Sequence, residues 1–221
     1  MPERSLEETN RRALVTTVEH RIGPVAAPYR EALLGVDRAR FVRPCDRARA
    51  WNDEPLPLDT PHGEQVATVS APHIYVLAFQ ALGLSPGDRY LELGSGSGYG
   101  AALGAWVVGS AGRVTTVETD PHLARIALHT TALLPNVRVL HDDGLARADL
   151  VANHDKTWLT FSVDAVPRAM LEALGERAIL VAPVGPIADQ RMLRWERRDG
   201  ALVESDLGAV RFVQARPLVT G

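Results

Sequence analysis

Between Tyr90 and Tyr99 the chain reads Tyr-Leu-Glu-Leu-Gly-Ser-Gly-Ser-Gly-Tyr, a carboxylate at Glu92 followed by glycines at 94, 96 and 98, with Ser95 and Ser97 between them. Residues of these types in this order suit a nucleotide-like ligand. Glycine has no Cβ to hold a ligand off the backbone, and a helix opening near Gly98 directs its unpaired amides at whatever lies in front of it. A second acid, Glu118, ends the apolar stretch Arg113-Val-Thr-Thr-Val117, where a carboxylate can accept hydrogen bonds from both hydroxyls of a ribose. A third acidic site, Asp142-Asp143-Gly144, follows the next apolar stretch and suits a place near an adenine.

Gly96, Gly98 and Ala101 also satisfy the looser dinucleotide pattern G-x-G-x-x-A. Glu92 separates the two ligands, because an acid there opposes a pyrophosphate and suits the cationic amino group of a methionine moiety. The set Glu92, Gly94, Ser95, Gly96, Ser97, Gly98, Glu118, Asp143 and Gly144 therefore points to S-adenosylmethionine as cofactor. A dehydrogenase is the weaker alternative, since no hydride-transfer acid/base pair accompanies the glycines. The bland alternatives are a glycine turn that only packs a helix on a sheet and an ordinary Asp-Asp-Gly turn.

The elements that must position these residues follow from the apolar pattern. Strands and helices alternate: strand 89–93, helix 98–108, strand 113–118, helix 121–133, strand 137–141, a strand near Trp158–Phe161, a helix Pro167–Leu174 and a strand Ala178–Val184. Such alternation implies a parallel sheet with helices on both faces. Asp120-Pro121 supports a helix start, the acid as cap and the proline in the first turn. Met192–Arg198 and Ala201–Asp206, joined by Asp199-Gly200, read as an antiparallel hairpin, with Val210–Val213 as a last short strand. Ahead of the core, residues 5–40 have helical spacing, 43–72 form a long polar loop, and a helix from Ser70 stops at Gly83. The loop is where substrate contacts are expected, and its 52–68 part, with Gly63 as hinge, is a candidate for closure. One domain is expected over 1–221, with helices and substrate loop in 1–83 and the cofactor-binding α/β core in 84–221.

A formal charge of -3 gives no reason to expect nucleic acid, and the arginines of Arg38-Ala-Arg40 and Arg194–Arg198 read as solvated faces. No stretch nears the roughly 18 apolar residues of a membrane span, and Met1–Glu8 lacks the apolar core of a signal peptide. The one cysteine, Cys45, fits a reducing compartment, so a cytoplasmic protein without a membrane partner is expected. The histidines are dispersed and no His or Cys pair has ligand spacing, so no metal is expected. Oligomeric state has no signature in the sequence.

The segments Val18-Glu-His-Arg-Ile22, Arg40-Phe-Val-Arg-Pro44, Thr68-Val-Ser-Ala-Pro-His73, Leu84-Ser-Pro-Gly-Asp88, Glu92–Tyr99, Val117-Glu118, Asp143-Gly144, Pro183-Val-Gly185 and Val210-Arg-Phe-Val213 resemble those of the protein-L-isoaspartate (D-aspartate) O-methyltransferases. The likeness spans nearly the whole chain, and Ser-Ala-Pro is its specific part. It implies a seven-stranded, Rossmann-like S-adenosylmethionine-dependent methyltransferase sheet with an N-terminal helical extension and a C-terminal antiparallel hairpin. It implies transfer of a methyl group to an isoaspartyl or aspartyl carboxylate of a peptide or protein, with Ser70 where donor and acceptor meet and Val69, Ala71, His73 and Val213 against the substrate. A carboxylate with a pKa near ~4 is already a nucleophile at neutral pH, so the absence of a general-base motif agrees with that chemistry.

Three stretches depart from the family pattern: Asp59–Ala67, Leu159–Asp164 and Leu174–Arg177. They surround the acceptor side, while the cofactor half is intact. Relatives that methylate Asp in ribosomally made peptides, giving aspartimide or isoaspartate, are therefore an alternative. A non-catalytic peptide-binding adaptor on the same fold is another, opposed by the intact Glu92, Glu118 and Ser70. His62 and His73 can contact a peptide, although each also suits a loop or a helix cap.

Overall fold

The structure, a computed structural model, describes residues 2–59 and 67–215, with side chains from Leu6 onward. His62 and Gly63, and with them the closure of the 52–68 loop, lie outside the described residues. The N-terminal part holds α1 (Pro2–Ile22), α2 (Ala27–Gly35), two short 3-10 turns, and a small antiparallel pair of β1 (Leu56–Pro57) with β2 (Thr68–Val69). Next comes α3 (Pro72–Leu82), which ends at Gly83 in the left-handed conformation, φ 61°.

The core follows as β3 (Arg89–Leu93), α4 (Tyr99–Val108), β4 (Arg113–Glu118), α5 (Pro121–Thr130), β5 (Val137–His141), α6 (Ala148–Ala152), β6 (Lys156–Leu159), α7 (Arg168–Glu172), β7 (Ile179–Val184), β8 (Gln190–Arg198) and β9 (Ala201–Val210). The sheet order is β5-β4-β3-β6-β7-β8-β9; the first five strands in that order are parallel, and β8 and β9 join antiparallel. The chain moves outward from β3 to β5 and returns to β6 on the other side of β3. That reversal opens a crevice beyond the carboxyl ends of β3 and β6, where ligands of open α/β sheets bind.

Apolar packing on both faces fixes the sheet. One face is covered by the N-terminal helices, α3 and α4, with Trp158, Tyr75, Phe79, Tyr90 and Tyr99 in mutual edge contacts at its centre. The other is covered by Leu150, Val151, Met170 and Leu174 from the α6–α7 region. Helix α4 is apolar almost all round because it lies between the sheet and α2, where a Cβ on Gly35 would overlap the ring of Trp106.

The structure differs from the sequence-based expectations at several points. Helix α3 begins at Pro72, with Ala71 at its N-cap position; its cap comes from Asp53, whose Oδ1 accepts the His73 N–H at 2.9 Å. Helix α5 stops at Thr130, where the hydroxyls of Thr130 and Thr131 bond back to the helix carbonyls. The fourth core strand runs 156–159, and residues 211–213 form no strand. They leave β9 and cross the end of β6, where Ser162 N–H donates to Val213 O at 2.7 Å and Ala215 N–H to Ser162 O at 2.8 Å. Arg38 does not lie on a solvated face but is fully buried.

Candidate active site

Four strand ends meet at the crevice. Gly94 and Gly96 follow β3, Glu118 ends β4, Asp143 and Gly144 follow β5, and Thr160 and Phe161 follow β6; Ala67, Thr68, Val213 and Gln214 also line the cleft. The glycine turn is tight by necessity. Gly94 has φ 97°, and a Cβ there would overlap the Thr160 hydroxyl, which donates to the carbonyls of Leu93 (3.0 Å) and Gly94 (2.8 Å). An L-side chain at 94 would break that bracket and push into the cleft.

Glu118 and Asp143 are the acids of the cleft. Glu118 Oε2 accepts the Gly96 N–H at 2.8 Å, and its Oε1 accepts those of Thr119 (3.0 Å) and Asp120 (3.2 Å). Burial raises its pKa, and the three amides draw it partly back. Oε2, with one bond, keeps acceptor capacity for a further donor, while Oε1 already accepts two. Asp143 accepts the Leu145 N–H at 3.0 Å and opens a 3-10 turn, while Asp142 turns away into an ion pair with Arg147. This pairing leaves Asp143 as the acid of the two that lines the cleft.

Glu92 lies beneath the turn and does not line the cleft. Thr116 Oγ1 donates to it at 2.7 Å, Ser95 Oγ lies 2.7 Å from the same hydroxyl, and the Ala101 amide adds a backbone hydrogen bond. A Cβ on Gly100 would overlap Glu92 Oε1, so the helix starts directly over the carboxyl. Burial drives the Glu92 pKa up to about 8, opposed by the Thr116 hydrogen bond. A raised carboxyl pKa means that the folded state holds a proton the unfolded chain has lost, so this contribution is fully present below pH 4.5 and disappears as pH rises through about 8. Glu92→Gln should therefore remove a decline of about 1.4 kcal/mol per pH unit across that window. Thermal unfolding of the ligand-free protein against pH checks it; parallel curves for variant and wild type would refute it.

Ser95 and Ser97 are buried in the turn, and Gly98, with φ 84°, occupies the N-cap position of α4. The Ser97 carbonyl accepts the Thr130 hydroxyl at 2.7 Å, which ties the turn to α5.

Ser70 lies two residues beyond Thr68, and its hydroxyl makes no hydrogen bond to a described residue. Its carbonyl accepts Arg38 Nη2 at 3.1 Å. The same guanidinium donates to the carbonyls of Ala50 (3.0 Å), Asn52 (2.9 Å) and Glu54 (2.8 Å), and stands 5.7 Å over the Tyr99 ring. Arg38 thus joins the Ser70 segment to the residue that follows Gly98. Val69 is buried opposite Leu56 in the small sheet, and Ala71 is buried at the start of α3. His73 Nδ1 is 2.9 Å from the buried Asp53, whose other oxygen meets Arg21 at 3.1 Å. Val213 reaches the cleft, held by the neighbouring Phe212: the Phe212 N–H donates to Gln190 Oε1 at 2.6 Å, and Gln190 Nε2 donates to Ser162 Oγ (2.8 Å) and Phe212 O (3.1 Å).

The cleft thus brings together Gly94, Gly96, Glu118, Asp143, Gly144 and Val213. Glu92, Ser95, Ser97 and Gly98 lie in or under the turn, and Val69, Ser70, Ala71 and His73 are next to the cleft in the chain without lining it. Sequence reasoning missed Arg38, Asp53, Thr160, Phe161 and Gln190. Only Thr160 and Phe161 carried a usable signal, their place just after a parallel core strand. Among the described residues no cluster of three or more His, Cys, Asp or Glu is arranged to hold a metal, and no helix is long and apolar enough to cross a membrane.

The family model described as Protein-L-isoaspartate(D-aspartate) O-methyltransferase (PCMT) matches residues 10–219. A protein-L-isoaspartate O-methyltransferase of Methanococcus aeolicus is 38% identical over 185 residues, covering 83% of each chain. One from Fervidobacterium nodosum is 37% identical over 186 residues, covering 83% of this chain and 90% of the relative. Among solved structures, a protein-L-isoaspartate O-methyltransferase superposes with a TM-score of 0.82 at 28% identity, over 93% of this chain and 66% of that one. A putative Plasmodium falciparum counterpart, solved with S-adenosyl-L-homocysteine, shares the fold with a TM-score of 0.78 at 21% identity, over 92% of this chain and 97% of that one.

Proposed function

The chain belongs to the protein-L-isoaspartate (D-aspartate) O-methyltransferase family, and from that premise we propose that its cleft holds S-adenosylmethionine against the glycine turn and presents an isoaspartyl carboxylate of a peptide or protein from the Ser70 side. The enzyme is a protein carboxyl O-methyltransferase. The observation that carries this reading is the lining of the cleft, where Gly94, Gly96, Glu118 and Asp143 at the strand ends share one space with Thr68, Val213 and Gln214.

The residues present fit the cofactor. Positive-φ glycines leave bare backbone at the cleft, Glu118 Oε2 has a lone pair free for a ribose hydroxyl, and Asp143 lines the same cleft and can accept from an adenine amino group. When bound, S-adenosylmethionine supplies a methyl group on a sulfonium, which a carboxylate oxygen accepts as the carbon–sulfur bond breaks. Everything else is positioning. Glu92 acts through the turn and the start of α4, since its oxygens are already bonded there. The acceptor is ionised at neutral pH and needs no base, so the chain must orient its oxygen and exclude water, effects that together supply roughly 7–11 kcal/mol in oriented reactions. For that purpose Ser70 offers a hydroxyl that makes no hydrogen bond to a described residue. A cytoplasmic location agrees with the single cysteine.

Methyl transfer from labelled donor to matched isoaspartyl and aspartyl peptides tests this reading. Transfer to the isoaspartyl peptide is expected. Ser70→Ala should lower kcat about 10- to 100-fold, the worth of one oriented hydrogen bond to a charged group, and leave S-adenosylhomocysteine affinity unchanged. Undiminished turnover would remove Ser70 from the acceptor site.

A further inference from the structure

We propose that the groove at the opposite end of the sheet is a second binding site, which captures an acidic segment of the same polypeptide whose aspartyl residue is methylated. The inference rests on the protein-methyltransferase reading above and extends it to how a substrate is chosen.

The groove runs between α4 and the connection from α5 to β5, past the amino-terminal ends of the parallel strands. Arg113 opens β4 and Arg138 is the second residue of β5, whereas the cofactor cleft lies beyond the carboxyl ends of the same strands. Its charge is one-sided. Arg40, Arg113 and Arg138 are exposed, line the groove, and have no carboxylate partner among the described residues. Arg89 also lines it, but its guanidinium is engaged by Asp155 at 2.6 Å. Asp37, the acid in the lining, is held by the Ala39 N–H at 3.0 Å and lies 4.0 Å from Arg11. Three uncompensated guanidinium groups therefore share one groove on a chain whose formal net charge is -3.

Apolar anchors lie among these charges. Trp106 is 50% exposed and Leu133 80% exposed, large values for such side chains in a protein with a well-packed core. The Trp106 ring is seated on Gly35, where any Cβ would overlap it, and the Asn136 amide pins the groove wall by donating to Ala105 O (3.3 Å) and Gly109 O (3.0 Å). A fixed aromatic beside arginines suits an extended peptide that carries carboxylates and occasional apolar side chains. Bidentate guanidinium–carboxylate pairs would set its register. The strands between cleft and groove are five or six residues long, so at ~3.3 Å per residue at least about six extended residues must separate the acidic segment from the methylated one. Binding at both ends of one chain raises the effective concentration of the acceptor at the cleft without any new contact there.

The test uses two peptides with the same isoaspartyl acceptor and a ten-residue neutral spacer, one ending in an alternating Glu-Leu tail and one in a Ser-Gly tail. With the wild-type enzyme the acidic tail should lower KM about 10-fold or more at low salt, with kcat unchanged and the advantage shrinking as salt is added. R113E/R138E should abolish that preference while leaving kcat and the KM of the Ser-Gly peptide as they were, and R113Q/R138Q should lose most of it. The labelled acidic tail alone should bind the wild type and not R113E/R138E by fluorescence anisotropy, a readout independent of methyl transfer. If methylation fails while the tail still binds, the assigned activity is at fault and the groove stands. A tail that confers no advantage, binds both proteins alike, or is outcompeted by a single-stranded oligonucleotide at equal charge overturns the proposal.

Discussion

Glu118→Ala is expected to raise the dissociation constant for S-adenosylhomocysteine by roughly 30- to 150-fold. Hydrogen bonds to a carboxylate are worth about 1.5–3 kcal/mol each, and a factor of ten corresponds to about 1.4 kcal/mol. A ribose hydroxyl would lose its acceptor on Oε2, while the cost of desolvating the carboxylate would no longer arise. The substitution also strips the Gly96, Thr119 and Asp120 amides of the oxygens they now share. Glu118→Gln separates the two effects, because one amide oxygen can still accept from Gly96 while the negative charge is gone. Titration calorimetry on both variants is the measurement. Affinity within threefold of wild type for Glu118→Ala would mean that the ribose is held elsewhere.

The second large effect is expected at Arg38. Its guanidinium supplies donors to four main-chain carbonyls, those of Ala50, Asn52, Glu54 and Ser70. Arg38→Met keeps much of the side-chain volume but leaves those carbonyls, buried or partly buried, without this donor. Losing a buried, hydrogen-bonded charge of this kind typically costs on the order of 3–5 kcal/mol, which for a chain of this length is a fall in Tm of about 10 °C or more. Arg38→Lys should recover only part of it, since an ammonium has three donors and no planar fork. Turnover should fall beyond what unfolding explains, because the carbonyl that fixes Ser70 is one of the four. Calorimetric unfolding together with kcat measured well below Tm checks both parts. A Met variant with wild-type stability would show that the carbonyls find other donors.

The inner parallel strands were legible because they are buried on both faces and so read as apolar runs, and the half-exposed edge strand β5 because its valines alternate. Arg89–Leu93, Arg113–Glu118 and Val137–His141 have the bounds that the pattern implies. Strand Lys156–Leu159 was harder, since it opens with Lys156 and Thr157, and its place is set by pairing with Tyr90 and Leu91. The donor side of the cleft was legible for a different reason: Gly94, Gly96 and Glu118 do their work through backbone geometry and strand position, both local in the chain.

The acceptor side depends on contacts between distant residues. Arg38 looked like surface because three of its four carbonyl partners lie more than ten residues ahead and the fourth is Ser70. The cap of α3 belongs to Asp53, twenty residues from the amide it accepts, so local pattern assigned the helix start to Ser70. Glu92 was legible as important but not as buried, because the residue type shows a charge and the structure encloses it under Gly100. The segment after β9 has strand-like composition, yet Gln190 draws it off the hairpin and over the end of β6.

That stitching of residues 212–215 to Ser162 and Gln190 bears on the order in which the molecule is made. Synthesis proceeds from the amino terminus, so the glycine turn and Glu118 leave the ribosome long before Val213 and Gln214. A nascent chain can complete the nucleotide half of the cleft while Val213 and Gln214 have yet to be translated, and a premature stop near residue 205 would leave a nucleotide holder with part of its workplace missing.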